Sequence, residues 1–223
     1  LNGRLKNNNN LFKSYATTYA NNNNYLDNDF DNDKGNDKVK IYIDNLIYAD
    51  LTDVPSLVHS LKISDPHEVY NLAAQSHVRI SFDQPIYTAQ TTGLGTLNIL
   101  ESIRIHNPEI RLYQASSSEM FGNSIDTDGF QRETTPMNPV SPYGCAKVFS
   151  YNIVRNYRNS YNLYASNGIL FNHESPRRGT NFVTNKVCKE AVKIKLGLSS
   201  ELKLGNLILR NVFANSNLSG LKL

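Results

Sequence analysis

Tyr143 and Lys147 are the two side chains of this chain whose types and spacing best suit acid–base chemistry. They follow Ser141 and Pro142, a pair that commonly occupies the first positions of a helix. Residues four apart lie on one face of a helix, so the phenol and the ammonium are predicted to be neighbours. A neighbouring ammonium stabilises the phenolate and lowers the phenol pKa from about 10 toward the working pH. Tyr143 is therefore the candidate general base for a substrate hydroxyl, although such pairs also occur by chance on helix surfaces.

The elements that must position this pair are predicted from the pattern along the chain. From Val39 onward, strand-like and helix-like segments alternate, which is typical of a parallel sheet flanked by helices. The predicted strands are residues 45–49, 68–73, 110–116 and 163–171. The predicted helices are residues 54–63, 85–105, 142–161 and 182–196, and the core-facing stripe of the second is Leu94, Leu97, Ile99, Leu100 and Ile103. We therefore predict an α/β fold with an incomplete doubly wound parallel sheet.

Polar residues are concentrated where the predicted strands end. The four clusters are residues 50–53, 73–77, 116–119 and 172–178. A doubly wound sheet binds its ligands beyond the carboxyl ends of its strands. The four clusters are therefore expected to share one binding edge.

Gly93 and Gly95 look like part of a glycine-rich dinucleotide fingerprint, but they lie inside a helical pattern. Asn98 occupies the position where a third glycine or alanine belongs. No strand directly precedes these residues, so no tight strand-to-helix turn is available to hold a pyrophosphate. We interpret the two glycines as a site of helix packing.

The composition argues against several kinds of partner. The chain has 23 basic and 20 acidic residues and no basic run, so nucleic acid is not expected to bind. Cys145 and Cys188 lie far apart without zinc spacing, so we predict no metal site and no disulfide, as in a cytoplasmic protein. No apolar run approaches the roughly 20 residues that cross a bilayer, and no signal-peptide pattern occurs, so no membrane partner is predicted.

Residues 1–38 differ from the rest of the chain in composition. They hold 12 of its 30 asparagines, in two runs of four, followed by the acidic stretch 27–33. Asparagine favours turns and adds no apolar surface, so this segment cannot bury enough to offset its chain entropy. We predict a disordered segment, with an interaction tract as the alternative to a plain solvated insert.

Five motifs along the chain carry a family resemblance. They are Tyr-Asn-Leu-Ala-Ala-Gln-Ser-His-Val (70–78), Tyr-Gln-Ala-Ser-Ser-Ser-Glu (113–119), Glu-Thr-Thr-Pro (133–136), Ser-Pro-Tyr-Gly-Cys-Ala-Lys (141–147) and Asn-Gly-Ile-Leu-Phe-Asn-His-Glu-Ser-Pro-Arg-Arg-Gly (167–179). With these motifs, about residues 47–207 resemble the GDP-mannose 4,6-dehydratases, extended short-chain dehydrogenase/reductases of Rossmann-like fold. The resemblance implies conversion of GDP-mannose to GDP-4-keto-6-deoxymannose with bound NADP, in a homo-oligomer.

The resemblance also implies the catalytic roles. Tyr143 would take the proton of the sugar's 4-hydroxyl while carbon 4 gives its hydride to NADP, and Lys147 would hold the nicotinamide ribose and tune the tyrosine. Glu119 would remove the acidified carbon-5 proton and help water leave from carbon 6, to which the hydride returns. Ser117 stands where the family usually has threonine, so a hydroxyl remains for the 4-oxygen but its rotamer is less fixed.

The ligand-binding residues are likewise implied by the resemblance. For the cofactor they are Asp50, Leu51, Leu72, Ala73, Ala74, Gln75, Ser76, Tyr87, Lys147, His173 and Arg178. For the nucleotide sugar they are Asn172, Asn181, Val183 and Lys186. From the residues alone, Leu72 and Ala73 are also ordinary core strand positions, and His173 is also a plain hydrogen-bonded histidine.

The chain departs from the family pattern in two regions. The family's first strand, glycine loop and helix do not occur before Val39, and the expected continuation after Leu207 is not found. We therefore expect an incomplete chain that folds or turns over substrate poorly. The predicted division is a disordered segment at 1–38, a partial NADP-binding domain at 39–171, a partial substrate-binding region at 172–207 and an unassigned tail at 208–223.

Three other functions remain open from the sequence. A nucleotide-sugar epimerase or a different dehydratase of the same superfamily would share the Tyr143–Lys147 pair, and an epimerase would not need Glu119. A non-catalytic binding subunit would keep the fold without cofactor affinity. An Asn-rich interaction protein would depend on residues 1–38.

Overall fold

The computed structural model describes residues 46–175, 179, 182–204 and 213–215. The chain divides into two compact units, one up to residue 169 and the other from residue 170. The Asn-rich segment 1–38 lies outside the described residues. None of the helices in the described part of the chain is long and apolar enough to cross a membrane.

In the described part of the first unit, a three-stranded sheet forms the framework. Its strands are β1 (Glu68–Asn71), β2 (Arg111–Ser117) and β3 (Ala165–Leu170), in that spatial order. β1 and β2 are parallel, and their register sets Asn71 beside Gln114. The predicted α/β class and the parallel arrangement are therefore confirmed.

Helices precede and connect these strands. They are α1 (Val54–Ser64), α2 (Val78–Asp83), α3 (Pro85–Thr88), α4 (Gly95–His106) and α5 (Pro142–Tyr161). A π-helical segment, Ala89–Leu94, joins α3 to α4, and a 3₁₀ turn, Ser118–Met120, follows β2. The short helix α2 was not predicted from the sequence.

The core of this unit is apolar and lies between the sheet and helices α1, α4 and α5. Its members are Leu51, Leu57, Leu61, Ile99, Leu100, Ile103, Ile110, Leu112, Val154, Tyr157, Leu163 and Ala165. Leu100, Ile103 and Val154 have no measurable exposure, so α4 and α5 are firmly packed where they meet. Burial of each such side chain stabilises the fold by about 2 kcal/mol.

Two predicted elements differ from the structure. The described residues 46–49 form no strand, because a strand needs a hydrogen-bonded neighbour and none of the described strands pairs with them. The predicted helix 85–105 is interrupted by the π segment, which changes the phase of the helix. Leu94, predicted to face the core, is therefore 47% exposed, whereas Ile99, Leu100 and Ile103 are buried as predicted.

The π segment has a tertiary cause. The Thr92 carbonyl accepts hydrogen bonds from the Thr96 hydroxyl at 3.0 Å and from the Ser150 hydroxyl of α5 at 2.8 Å. Side-chain donors that occupy a helical carbonyl displace the ordinary backbone bond and favour a local bulge. Because Ser150 lies 58 residues away, the local sequence carries no signal of this contact.

The two glycines set aside as a packing feature do pack. A Cβ on Gly95 would lie 2.7 Å from the Cβ of Leu51, and one on Gly93 would lie 3.5 Å from the Phe149 ring of α5. Asn98, in the place of a third glycine, donates from Nδ2 to the Leu51 carbonyl at 2.7 Å. The interpretation of helix packing is therefore confirmed.

The described residues of the second unit form a two-stranded parallel sheet and one helix. Strand β4 (Asn172–Glu174) pairs with β5 (Phe213–Asn215), and α6 spans Val183–Lys195. The helix matches the prediction of residues 182–196. Strand β5 was not predicted, since it lies in the tail that the sequence left unassigned.

Candidate active site

The first turn of α5 holds the predicted acid–base pair. Ser141 caps the helix by accepting a hydrogen bond on its hydroxyl from the Gly144 N–H at 3.0 Å, and Pro142 occupies the first turn. Tyr143 and Lys147 are both buried, and the Lys147 ammonium lies 5.8 Å from the centroid of the Tyr143 ring. The phenol and the ammonium are therefore neighbours, as predicted.

Lys147 carries a charge that is almost fully removed from water. Its side chain is 3% exposed, and its ammonium donates to the Ala115 carbonyl of β2 at 2.6 Å. Burial disfavours the charged form and lowers the pKa of Lys147 to about 8. The lysine is thus anchored to the sheet with a pKa close to the physiological range.

Ser117 and Glu119 lie where β2 ends and the 3₁₀ turn begins. The Ser117 hydroxyl accepts a hydrogen bond from the Glu119 backbone N–H at 3.2 Å, which fixes the start of the turn. Glu119 is half-buried, and burial raises the pKa of its carboxyl above the usual value. A raised carboxyl pKa suits a group that both takes and gives a proton.

A glycine brings α5 against this turn. A Cβ on Gly144 would lie 2.8 Å from the Glu119 carbonyl oxygen and 2.9 Å from the Pro139 side chain. Only a residue without a side chain permits the backbone beside Tyr143 to approach the backbone of Glu119 so closely. The structure therefore brings Ser117, Glu119, Tyr143 and Lys147 together at the carboxyl end of β2.

The residues expected to line the cofactor differ in their surroundings. Leu72 is 67% exposed and Ser76 is exposed, both beyond the carboxyl end of β1, whereas Gln75 is buried and its N–H donates to the Thr92 hydroxyl at 3.1 Å. Ala73, Ala74 and Tyr87 are half-buried. The segment 72–76 thus lies at the sheet edge, as predicted, and is tied to the π segment through Gln75.

Asp50 and Leu51, expected near the adenine, are placed in opposite surroundings. Asp50 is exposed, and its carboxylate accepts from the Thr52 N–H and hydroxyl, each at 2.8 Å. Leu51 is 2% exposed and belongs to the hydrophobic core. Its side chain is therefore unavailable to a ligand, which corrects the expectation for that side chain.

The other predicted ligand residues belong to the second unit. Asn172, His173 and Val183 are exposed and Lys186 is half-buried, and His173 Nδ1 lies 2.9 Å from the Phe171 carbonyl oxygen. Arg178 and Asn181 lie outside the described residues. Their predicted contacts with cofactor and sugar stay predictions.

Two buried amides next to the site were missed by sequence reasoning. The Asn71 Nδ2 donates to the Gln114 Oε1 at 2.7 Å, and the Gln114 Nε2 donates to the Ala115 carbonyl at 3.1 Å. A partial signal was present, because Asn71 follows Val69 and Gln114 follows Leu112 on the same strand faces, so each amide comes directly after an apolar position.

The family model described as GDP-mannose 4,6 dehydratase matches residues 6–215 of this chain. The GDP-mannose 4,6 dehydratase of Drosophila melanogaster is 52% identical over 164 residues, which are 73% of this chain and 41% of that protein. The corresponding protein of Homo sapiens is 51% identical over 164 residues, 73% of this chain and 44% of that protein. The chain thus spans less than half the length of these curated relatives.

Solved structures resemble the fold. RMD from Pseudomonas aeruginosa, solved with NADPH, aligns with a TM-score of 0.68 at 24% identity over 75% of this chain and 57% of that chain. A dTDP-glucose 4,6-dehydratase from Bacillus anthracis, solved with NAD, aligns with a TM-score of 0.64 at 25% identity, covering 75% and 49%. These neighbours support the Rossmann-like character of the predicted sheet.

Proposed function

This chain belongs to the GDP-mannose 4,6-dehydratase family, and we propose that its protein converts GDP-mannose to GDP-4-keto-6-deoxymannose with bound NADP. The observation that carries the proposal is the meeting of the first turn of α5 with the end of β2. That meeting puts a phenol, an ammonium, a hydroxyl and a half-buried carboxyl in one place. The reaction needs these groups, because it moves protons at a hydroxyl and at a carbon beside a carbonyl.

In the proposed reaction, Tyr143 takes the proton from the 4-hydroxyl of the sugar. The Lys147 ammonium, 5.8 Å from the ring centroid, stabilises the phenolate that does so. Since the ammonium is held by the Ala115 carbonyl, its charge stays at a fixed position during the proton transfer. The chemistry that NADP supplies when bound is removal of the carbon-4 hydrogen with its electron pair and its return at carbon 6.

Glu119 acts on the ketone that results. The carbonyl at carbon 4 makes the carbon-5 proton acidic, and the Glu119 carboxylate removes it as the carbon-6 hydroxyl leaves as water. Burial raises the pKa of the Glu119 carboxyl. The carboxyl therefore holds the proton that it takes from carbon 5 and can deliver it to the leaving oxygen. Solvent then supplies the proton that returns to carbon 5.

Ser117 orients the reacting oxygen. Its hydroxyl oxygen accepts from the Glu119 N–H, which leaves its own hydrogen to donate to the 4-oxygen of the sugar. The serine thereby couples the position of the carboxyl to the position of the substrate oxygen.

The described residues fit an NADP site. The bond from Lys147 to Ala115 uses one of three ammonium donors, so others remain for the ribose hydroxyls. The exposed residues Leu72 and Ser76 lie at the sheet edge where such folds bind dinucleotides. The family resemblance supports the remaining proposed contacts. For the cofactor they are Asp50, Ala73, Ala74, Gln75, Tyr87, His173 and Arg178, and for the sugar nucleotide they are Asn172, Asn181, Val183 and Lys186.

The test is incubation of the purified protein with GDP-mannose and NADP, followed by mass spectrometry of the sugar nucleotide. The expected product has lost one water and carries a 4-keto group, and Tyr143→Phe is expected to form it about 1,000-fold more slowly. Titration of NADP against both proteins serves as the control for folding. A product of unchanged mass with an inverted carbon would contradict the proposal and favour an epimerase.

We also propose that the protein is a cytoplasmic homo-oligomer. A groove of about 350 Å³ between the π segment and α5 has an apolar lining that includes Leu94 and Phe149, both substantially exposed. A second copy of the chain is the occupant that would cover these side chains. The two cysteines, Cys145 and Cys188, are free thiols, which suits a reducing compartment.

A further inference from the structure

Two buried amides, Asn71 at the end of β1 and Gln114 in the middle of β2, form a directed chain of hydrogen bonds that ends at the lysine. The Ala73 N–H donates to the Asn71 Oδ1 at 3.2 Å, and the Asn71 Nδ2 donates to the Gln114 Oε1 at 2.7 Å. The Gln114 Nε2 then donates to the Ala115 carbonyl at 3.1 Å, the same oxygen that accepts from Lys147 at 2.6 Å. The chain thus connects the segment after β1 to the catalytic pair.

The direction of these bonds is fixed by one backbone group. A backbone N–H is only a donor, so Ala73 requires the oxygen of Asn71 to face it. The NH₂ of Asn71 then faces Gln114 and donates to its side-chain oxygen. The NH₂ of Gln114 is thereby turned toward the Ala115 carbonyl. The Gln114 amide therefore has one orientation that satisfies every partner, and that orientation donates to the Ala115 carbonyl.

Packing alone does not require these amides. Asn71 and Gln114 are 3% and 1% exposed and pair directly in the β1–β2 register. Two residues earlier, the same face of the sheet holds Val69 beside Leu112, an apolar pair that fills the core. Buried amides are unfavourable unless every polar atom is bonded, so an apolar pair would serve the sheet at least as well.

The shared carbonyl limits where the lysine can go. A carbonyl oxygen has two lone pairs, and here Gln114 and Lys147 occupy them together. With one lone pair held by Gln114, the ammonium is restricted to the other. We propose that Gln114 is a positioning residue for Lys147, with Asn71 fixing the orientation of the Gln114 amide.

The proposal rests on the proposed function only in treating Lys147 as a member of the catalytic pair. Gln114→Met keeps the approximate volume of the side chain and removes both polar groups of its amide, the oxygen and the NH₂. The expected effect on turnover is a fall in kcat of about tenfold, because a displaced lysine stabilises the phenolate less well. The KM for GDP-mannose is expected to stay within about twofold, since Gln114 is buried in the sheet and does not reach the sugar.

A second readout does not depend on activity. Acetic anhydride labels deprotonated lysines, and peptide mass spectrometry measures the labelling rate of Lys147 at pH 8. In Gln114→Met this rate is expected to rise about threefold, because the ammonium loses its fixed position and opens to solvent more often. Asn71→Leu is expected to give a smaller rise, since Gln114 can still donate to Ala115 after losing its partner.

Tyr157→Phe is the matched control. It removes a partly buried hydrogen bond that α5 makes to α4, from the Tyr157 hydroxyl to the Glu101 carboxylate, ten residues along α5 from Lys147. The labelling of Lys147 is expected to be unchanged in this variant, although the fold loses about 1 kcal/mol.

The possible outcomes distinguish the positioning role of Gln114 from the proposed function. Unchanged labelling of Lys147 in Gln114→Met overturns the positioning role whether or not the protein turns over GDP-mannose. Raised labelling with an unchanged kcat in an active protein also overturns it, because the position of the lysine would then not affect the reaction. Raised labelling in a protein that forms no product from GDP-mannose supports the positioning role and contradicts the proposed function alone.

Discussion

At the scale of single residues, Lys147 is the side chain on which the site depends. Its ammonium is buried, is bonded to the Ala115 carbonyl and lies beside the Tyr143 ring. Burial of a charge is unfavourable, and it lowers the pKa of Lys147 to about 8. The lysine is thus retained at a cost in stability, which indicates a role other than packing.

This cost predicts how stability changes with pH. Between pH 8 and the ordinary lysine pKa, the unfolded chain binds a proton at Lys147 that the folded chain has released. The free energy of unfolding contributed by this residue therefore rises with pH across that window, by roughly 3 kcal/mol in all. Lys147→Met is expected to lose this rise, and urea titrations of both proteins between pH 7 and 10.5 measure it. If the free energy of unfolding rose equally with pH in the two proteins, the lowered pKa of buried Lys147 would be contradicted.

Part of the site was predictable from single residues and part was not. The helix start at Ser141 and Pro142 and the spacing of Tyr143 and Lys147 are local, and the structure has them as predicted. The pairing of Asn71 with Gln114 depends on strand register between residues 43 positions apart, which local pattern does not encode. The burial of the Leu51 side chain was not predicted for the same reason, since it packs against Gly95 of α4.

At the scale of elements, the approach of α5 to the turn after β2 brings the proposed catalytic groups together. Gly144→Ala is expected to push the helix away from Glu119, because the new Cβ would lie 2.8 Å from a backbone oxygen. We expect a loss of about 2 kcal/mol in unfolding free energy and a fall in kcat.

Gly93→Ala is the control for this prediction. Its new Cβ would meet the Phe149 ring at 3.5 Å, an ordinary contact. Thermal unfolding and product assays of the two variants make the comparison. Equal activity in Gly144→Ala and the unaltered protein would contradict the importance of the close approach.

The contact between α4 and α5 has its own pH signature. Glu101 of α4 accepts from the Arg104 guanidinium and from the Tyr157 hydroxyl of α5, and these bonds hold the pKa of Glu101 at about 2. A lowered carboxyl pKa adds stability above the ordinary glutamate pKa, and this stability is lost as the pH falls toward 2. Glu101→Gln is expected to cost about 1 kcal/mol at pH 7 and almost nothing near pH 2. Urea denaturation at both pH values tests this, and an equal cost at both would contradict the ionised pair.

The elements themselves were predicted unevenly. Helices α1, α5 and α6 and strand β2 follow hydrophobic periodicity and end signals, so their positions match the sequence prediction within a few residues. The π segment depends on a hydrogen bond from the Ser150 hydroxyl of α5. Strand β5 depends on pairing with β4, which lies about 40 residues earlier in the chain. Contacts of that range leave no mark on the local pattern.

At the scale of the whole molecule, the exposed apolar groove predicts association of two copies. Phe149→Glu is expected to shift the protein toward the monomer, because a carboxylate placed in an apolar interface loses its hydration. Sedimentation velocity measures the change. Phe130→Glu alters an exposed phenylalanine that does not line the groove and is expected to leave the assembly unchanged. A monomeric unaltered protein would contradict the proposed homo-oligomer.

The central claim, that one carboxyl and one phenol act on the same sugar, is tested most directly by the reaction in heavy water. The unaltered protein is expected to place one solvent deuterium on carbon 5 of the product, as read by mass spectrometry and NMR. Glu119→Gln is expected to do so at least about 100-fold more slowly, whereas Glu133→Gln, which changes an exposed carboxylate, keeps the full rate. Full-rate incorporation of deuterium by Glu119→Gln would contradict the account.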